Sequence, residues 1–124
     1  MPRVLVVDDA TTVRMYHRAI LEAGGFSVEE AGNGYEGLEK ALASGFDRLL
    51  VDVNMPKMDG YSLVRALRAD PATASVPAIL ISTEAEAADA RQGYEAGANL
   101  YLVKPVRPDD LTINAKMLTA RAPR

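Results

Sequence analysis

The sequence predicts an α/β fold: a parallel sheet with helices packed on both faces. Three observations carry this. Short apolar runs and longer stretches of helical periodicity alternate five times, which is the element order of strand–crossover–strand folds. The apolar runs are continuous rather than alternating, as strands buried on both faces require. The polar residues that interrupt them fall at their C-terminal ends.

The elements follow in order. Val4–Val7 is the first strand, and Thr11–Ala23 the first helix, with Val13, Tyr16, Ile20 and Ala23 on one apolar face. Gly24-Gly25 stops that helix. Ser27–Ala31 is a weaker strand and Tyr35–Ser44 the second helix. Leu49–Val53 is the third strand, closed by Pro56 and Gly60 before a helix at Tyr61–Ala69. Pro71 and Pro77 bracket the loop into Ala78–Ser82. A helix over Glu86–Ala96 leads to the strand Leu100–Val103, and Pro108 opens a last helix from Asp109 to about Ala120.

Composition narrows the function. A chain of 124 residues fits one domain, and no linker, repeat or low-complexity segment divides it. A hydrophobic content of 48% supports a real core. The formal charge of −3 argues against a nucleic-acid footprint. The absence of cysteine excludes disulfides, thiol catalysis and Cys-based zinc sites, and the lone His17, read as a surface residue of the first helix, cannot build a His-rich metal site. No apolar run reaches the roughly 18 residues a membrane span needs. The first residues, "MPRVLVV", lack a signal-peptide layout. The expectation is a cytoplasmic protein without membrane or nucleic-acid partners.

The chemistry lies at the strand ends. "VLVVDD" ends in Asp8-Asp9, "LLVDV" carries Asp52, "AILIST" ends in Ser82-Thr83 and "LYLVKP" in Lys104. In a parallel sheet these ends share one edge, where ligands of open α/β sheets bind. If the first and third strands are neighbours, Asp8, Asp9 and Asp52 converge. Two carboxylates about 5 Å apart repel by roughly 3 kcal/mol at an effective dielectric near 20. Lys104 supplies one offsetting charge, and a divalent cation would supply the rest. Hard oxygen donors favour Mg²⁺, which is held by carboxylates together with phosphate oxygens. Such a site suits a phosphoryl group, with one carboxylate as nucleophile and Lys104 and Thr83 on the phosphoryl oxygens. Each residue also has a plainer reading. Asp8-Asp9 could cap the first helix, and Thr83, in "STEAE", the fourth. The shared location at strand ends favours the functional reading.

Over its whole length the chain resembles the receiver domains of two-component response regulators. The blocks that carry the resemblance are "VLVVDD", "DVNMPKMDG", "ILIST" and "YLVKP". "VVDDATTVR" and "DVNMPKMDG" look most like the stand-alone chemotaxis type, CheY-like. The resemblance implies a flavodoxin-like, doubly wound sheet of order 2-1-3-4-5 with five helices, and a single receiver over residues 1–124 without an output domain. It implies that Asp52 is the phosphoacceptor and that Asp8, Asp9, Asp52 and the Asn54 carbonyl hold Mg²⁺. It gives Thr83 the switch hydroxyl, Lys104 the phosphoryl contact, Tyr101 the aromatic switch, and Pro105 a peptide bond that is often cis. The phosphodonor would be a histidine kinase or acetyl phosphate. The downstream protein would dock on the fourth helix, fifth strand and fifth helix. Ala10, Val53, Glu84 and Val106 depart from the chemotaxis pattern.

The expected function is therefore a phosphorylation switch, in chemotaxis, that acts as a monomer or weak dimer and is no enzyme beyond its own phosphorylation and dephosphorylation. The alternatives are a phosphoryl shuttle in a phosphorelay, a Mg²⁺-dependent aspartyl-phosphate phosphatase, and a phosphate-independent binding module. The phosphatase reading wants Asp-x-Asp after the first strand, whereas Asp8-Asp9 are adjacent. In the fourth helix the apolar content is mostly alanine, so it should bury little and shift easily. In the last helix Leu111, Ala115 and Leu118 form a core stripe, and Ile113, Met117 and Ala120 a second, exposed one, or else that helix is frayed. Arg121 and Arg124 read as solvated.

Overall fold

The computed structural model describes residues 1–118. Strands and helices alternate as β1 (Arg3–Val7), α1 (Thr11–Ala23), β2 (Ser27–Ala31), α2 (Gly34–Ala43), β3 (Arg48–Asp52), α3 (Gly60–Ala69), β4 (Ala78–Ser82), α4 (Ala87–Ala96), β5 (Leu100–Val103) and α5 (Pro108–Met117). The five strands form one parallel sheet of order β2-β1-β3-β4-β5. The flavodoxin-like architecture inferred from the sequence is the one observed.

Burial follows strand position. All of β3 and β4 is buried, whereas the edge strand β2 alternates and β5 is half-buried. Successive side chains point to opposite faces, so the sheet feeds two cores. Leu5, Val7, Leu49, Val51 and Leu80 pack with Leu63, Val64 and Leu67 of α3. Val4, Val6, Leu50, Ile79 and Ile81 pack with Leu21 of α1 and Leu111 and Ala115 of α5.

Local chemistry sets the helix ends. The Asn33 side chain accepts from the Glu36 N–H, and Asp59 from the Ser62 N–H, both at 2.8 Å, satisfying orphan amides of α2 and α3. Pro108 takes the first position of α5. Gly60 is required by proximity: a Cβ there would lie 2.6 Å from the Asp52 carbonyl oxygen.

Several expectations are corrected. Neither Asp8-Asp9 nor Thr83 caps a helix: the N-caps of α1 and α4 are Ala10 and Glu86, and neither makes a side-chain capping bond. His17 is not a surface residue. It is 4% exposed, because its position on α1 faces the sheet. α5 ends at Met117 and Leu118 is extended; the predicted continuation to Ala120, and Arg121 and Arg124, lie outside the described residues. Within α5, Ile113 and Met117 are exposed and Leu111 and Ala115 buried, while Leu118, read as part of the core stripe, lies past the helix end. Among the described residues no helix is long and apolar enough to cross a membrane.

Candidate phosphoryl-transfer site

The sheet brings the strand-end carboxylates together. Val7 pairs with Val51, so the next residues, Asp8 and Asp52, emerge side by side. Asp8, Asp9 and Asp52 each present an oxygen within 4.8 Å of the others. Asp8 and Asp52 are 2% and 5% exposed, while Asp9 is exposed. Asp8 is tied on every side: its amide donates to the Ala31 carbonyl at 3.1 Å, its Oδ1 accepts from the Ala10 N–H at 2.9 Å, and its Oδ2 faces Lys104 Nζ at 3.4 Å. Lys104 follows β5, two strands from β3. Its long side chain crosses the end of β4 to reach Asp52 Oδ1 at 2.9 Å. The Lys104–Pro105 peptide is cis.

Three carboxylates against one ammonium leave surplus negative charge. Burial pushes the Asp52 carboxyl above its usual range, and the charges of Asp8 and Asp9 add to this against the opposing Lys104 hydrogen bond. Burial alone would lower the Lys104 ammonium, but its bonds to Asp52 and Asp8 outweigh that and raise it. The two groups hold their protons more tightly for different reasons: burial disfavours the charged carboxylate of Asp52, and the neighbouring carboxylates favour the charged ammonium of Lys104. The donors are all hard oxygens, the set that suits Mg²⁺. The Asn54 carbonyl receives no hydrogen bond from a described residue, which leaves it free as a further oxygen donor.

The remaining predicted residues stand beside this cluster. Thr83 is exposed one residue past β4, and shares with Lys104, Val13, His17 and Val106 the lining of a cavity of about 320 Å³. Burial keeps the His17 imidazole below its ordinary pKa, a shift that the Asp8 charge opposes and the Lys104 charge reinforces. Tyr101 is half-buried against the first core, its ring beside Gly93 of α4. Its hydroxyl donates to the Glu84 carbonyl at 3.0 Å.

Three participants escaped the sequence reading. Arg14 Nη1 donates to the Asp8 carbonyl at 2.7 Å, and Arg14 Nε pairs with Glu30 at 2.7 Å. Tyr61 donates to the Asp89 carbonyl at 3.2 Å, tying α3 to α4. The buried His17 lines the cavity. The partners of Arg14 and Tyr61 lie 16 and 28 residues away, so no local spacing announces them; for His17, the helical face shared with Val13 and Ile20 was the available signal.

Known proteins share this fold and much of this sequence. The family model described as response regulator receiver domain matches residues 4–116. The chain is 47% identical over 102 residues to the gliding motility regulatory protein of Myxococcus xanthus, covering 82% of this chain and 13% of that protein. The structure of chemotaxis protein CheY4 from Vibrio cholerae superposes with a TM-score of 0.89 at 35% identity, covering 94% of this chain and 97% of that one. The receiver domain of sensor histidine kinase PA1611 from Pseudomonas aeruginosa, solved with a magnesium ion coordinated in its active-site cleft, gives a TM-score of 0.86 at 29% identity over 93% of this chain and 94% of that one. The chain spans 13%, 49% and 52% of the lengths of the curated relatives it matches. Receiver domains are the phosphorylated switches of two-component signalling: they bind Mg²⁺ at an acidic pocket, take phosphoryl groups from kinases and act on downstream targets. With its sheet order, its strand-end acidic pocket and a match along nearly its full length, this chain belongs to the response regulator receiver domain family.

Proposed function

We propose that this receiver is switched by phosphorylation of Asp52, with the phosphohistidine of a histidine kinase as donor. The observation that carries the reading is the clustering of Asp8, Asp9 and Asp52 oxygens within 4.8 Å, with Lys104 Nζ 2.9 Å from Asp52 Oδ1. An Asp52 oxygen attacks phosphorus, the P–N bond breaks, its electron pair returns to the donor imidazole, and an acyl phosphate remains. Lys104 is within reach of the added phosphoryl oxygens, and the Thr83 hydroxyl, with no hydrogen bond to a described residue, is available to them. Asp8, Asp9, Asp52 and the Asn54 carbonyl would hold Mg²⁺, which supplies charge neutralisation when bound; the magnesium-bound Pseudomonas receiver supports this.

The signal leaves through β4 and α4. Phosphorylation replaces one negative charge with about two and adds acceptor oxygens. Thr83 moves toward them, and the Tyr101 bond to the Glu84 carbonyl couples that loop to β5. The output face is α4–β5–α5, where Tyr94, Val103, Ile113 and Met117 are exposed. The gliding-motility relative and the CheY4 neighbour favour a motility or chemotaxis partner. A phosphoryl shuttle uses the same site, and the neighbour belonging to a sensor kinase favours that as the second reading.

Incubation with acetyl phosphate and Mg²⁺ tests the reading. The expected result is a mass gain of one phosphoryl group, absent in Asp52→Asn. An unmodified wild type would overturn it, and sustained phosphate release from many monoesters would replace it with a phosphatase.

A further inference from the structure

We infer that Arg14, braced by Glu30, is a positioning residue for the Asp8-Asp9 pair and thereby sets the divalent-cation affinity of the pocket. The inference rests on the reading that this pair holds Mg²⁺.

The two aspartates are held very differently. Asp8 is buried and bonded at its amide, carbonyl and both carboxylate oxygens. Asp9 is exposed, and its carboxylate has no hydrogen bond or ion pair with a described residue. What orients Asp9 is its backbone. The peptide plane entering Asp9 carries the Asp8 carbonyl, and Arg14 Nη1 holds that oxygen at 2.7 Å. Planarity of the peptide means that fixing the oxygen fixes the amide nitrogen of Asp9 with it.

Arg14 is itself held. Its Nε pairs with Glu30 Oε1 at 2.7 Å, with side chains only 16% and 22% exposed. The second Glu30 oxygen takes Arg18 Nη1 at 2.8 Å. Those two hydrogen bonds keep the Glu30 carboxyl below its usual range, against a small opposing effect of burial. The chain of contacts runs from β2 through Glu30 and Arg14 to the loop after β1. Glu30 has a second effect. A guanidinium next to a cation site repels the cation, and the Glu30 carboxylate offsets that charge. Outer groups that orient metal ligands typically change metal affinity by about 10- to 100-fold when removed.

The sign of the effect separates positioning from charge alone. If Arg14 acted only as a nearby positive charge, Arg14→Ala would tighten Mg²⁺ binding. If it positions Asp9, the same change weakens it. The test is a MgCl₂ titration of the full chain, followed by the amide NMR shifts of Asp9 and Ala10, alongside urea unfolding. The expected result is a rise in the Mg²⁺ Kd of about 10-fold or more in Arg14→Ala. Arg14→Lys should recover part of the loss and Glu30→Gln should weaken binding. Arg18→Ala, which removes a charge without touching the Asp8 carbonyl, should leave the Kd within about two-fold of wild type, the small change expected of an exposed pair. Unchanged or tighter binding in folded Arg14→Ala would overturn the inference. If that variant does not fold, wild-type affinity in both Arg14→Lys and Glu30→Gln overturns it. A wild type that shows no saturable, Asp9-dependent Mg²⁺ binding overturns the metal reading together with the inference.

Discussion

α3 and α4 are neighbours on the same face of the sheet, ten residues each, and they are anchored in opposite ways. α3 begins with a capping bond from Asp59 and buries Tyr61, Leu63, Val64 and Leu67. Each Val or Leu so buried contributes about 1.5–3 kcal/mol relative to exposure. α4 has no side-chain cap, and its buried residues are Gly93 and Ala96. It is held by polar contacts near its ends. Tyr61 and Tyr101 donate to the carbonyls of Asp89 and Glu84 at its N-terminal end. Arg68 donates to the Gly97 carbonyl at 3.0 Å at its C-terminal end, where Gly97 takes the left-handed conformation that ends the helix. One helix is a wall and the other is latched. The candidate site straddles them: Asp52 leads into α3, and Thr83 into α4.

The largest test of this contrast is in the cores. Leu67→Ala should cost about 2–5 kcal/mol in urea unfolding, the range for a fully buried leucine. Ala88→Gly on α4 should cost about 1 kcal/mol or less. Equal costs would erase the distinction.

Next comes the pH dependence of Asp52. Its folded-state pKa is raised, by burial first, so the folded state binds this proton more tightly than the unfolded chain does. Stability from this group is full below the ordinary carboxylate range and falls as pH rises through that range to the raised value. Asp52→Asn should therefore stabilise the protein at neutral pH in the absence of divalent cations, read as a higher urea midpoint. The gain should shrink on acidification and disappear below the ordinary carboxylate pKa. A gain that stays constant across that window would mean that Asp52 ionisation does not strain the site.

The smallest test concerns the caps. Asp59→Ala should cost about 0.5–2 kcal/mol, whereas Glu86→Ser should add about 1 kcal/mol at most. Hydrogen exchange should show the serine slowing opening of the first turn of α4 and leaving α3 unchanged. Slower exchange spread over both helices would join them into one unit and end the comparison.

Much of this was legible without coordinates. Apolar runs marked every strand, only weakly at β2 with its two glutamates, and with boundaries displaced by one residue at β1 and β3. The polar exceptions in those runs marked Asp8, Asp52, Thr83 and Lys104, because a charged or hydroxyl residue at the end of a buried strand is conspicuous. The alanine-rich sequence of α4 already announced its thin packing. Two kinds of feature stayed hidden. His17 looked like a polar residue on a helix surface, and burial against the sheet overruled its type. The capping readings of Asp8-Asp9 and Thr83 failed because their loops turn before the helices begin.

Periodicity and residue type by themselves determined the element order, the parallel sheet and the chemistry gathered at one edge. These are local properties, written into neighbours along the chain. Only the tertiary structure decided that Lys104 reaches across β4 to Asp52, that Arg14 grips the Asp8 carbonyl with Glu30 behind it, and that two tyrosines latch α4. Each joins residues far apart in sequence, whose meeting depends on strand register and helix packing together. Such contacts form when the cores close, because burial of apolar surface selects the register, and the polar groups then pair within the geometry it leaves them.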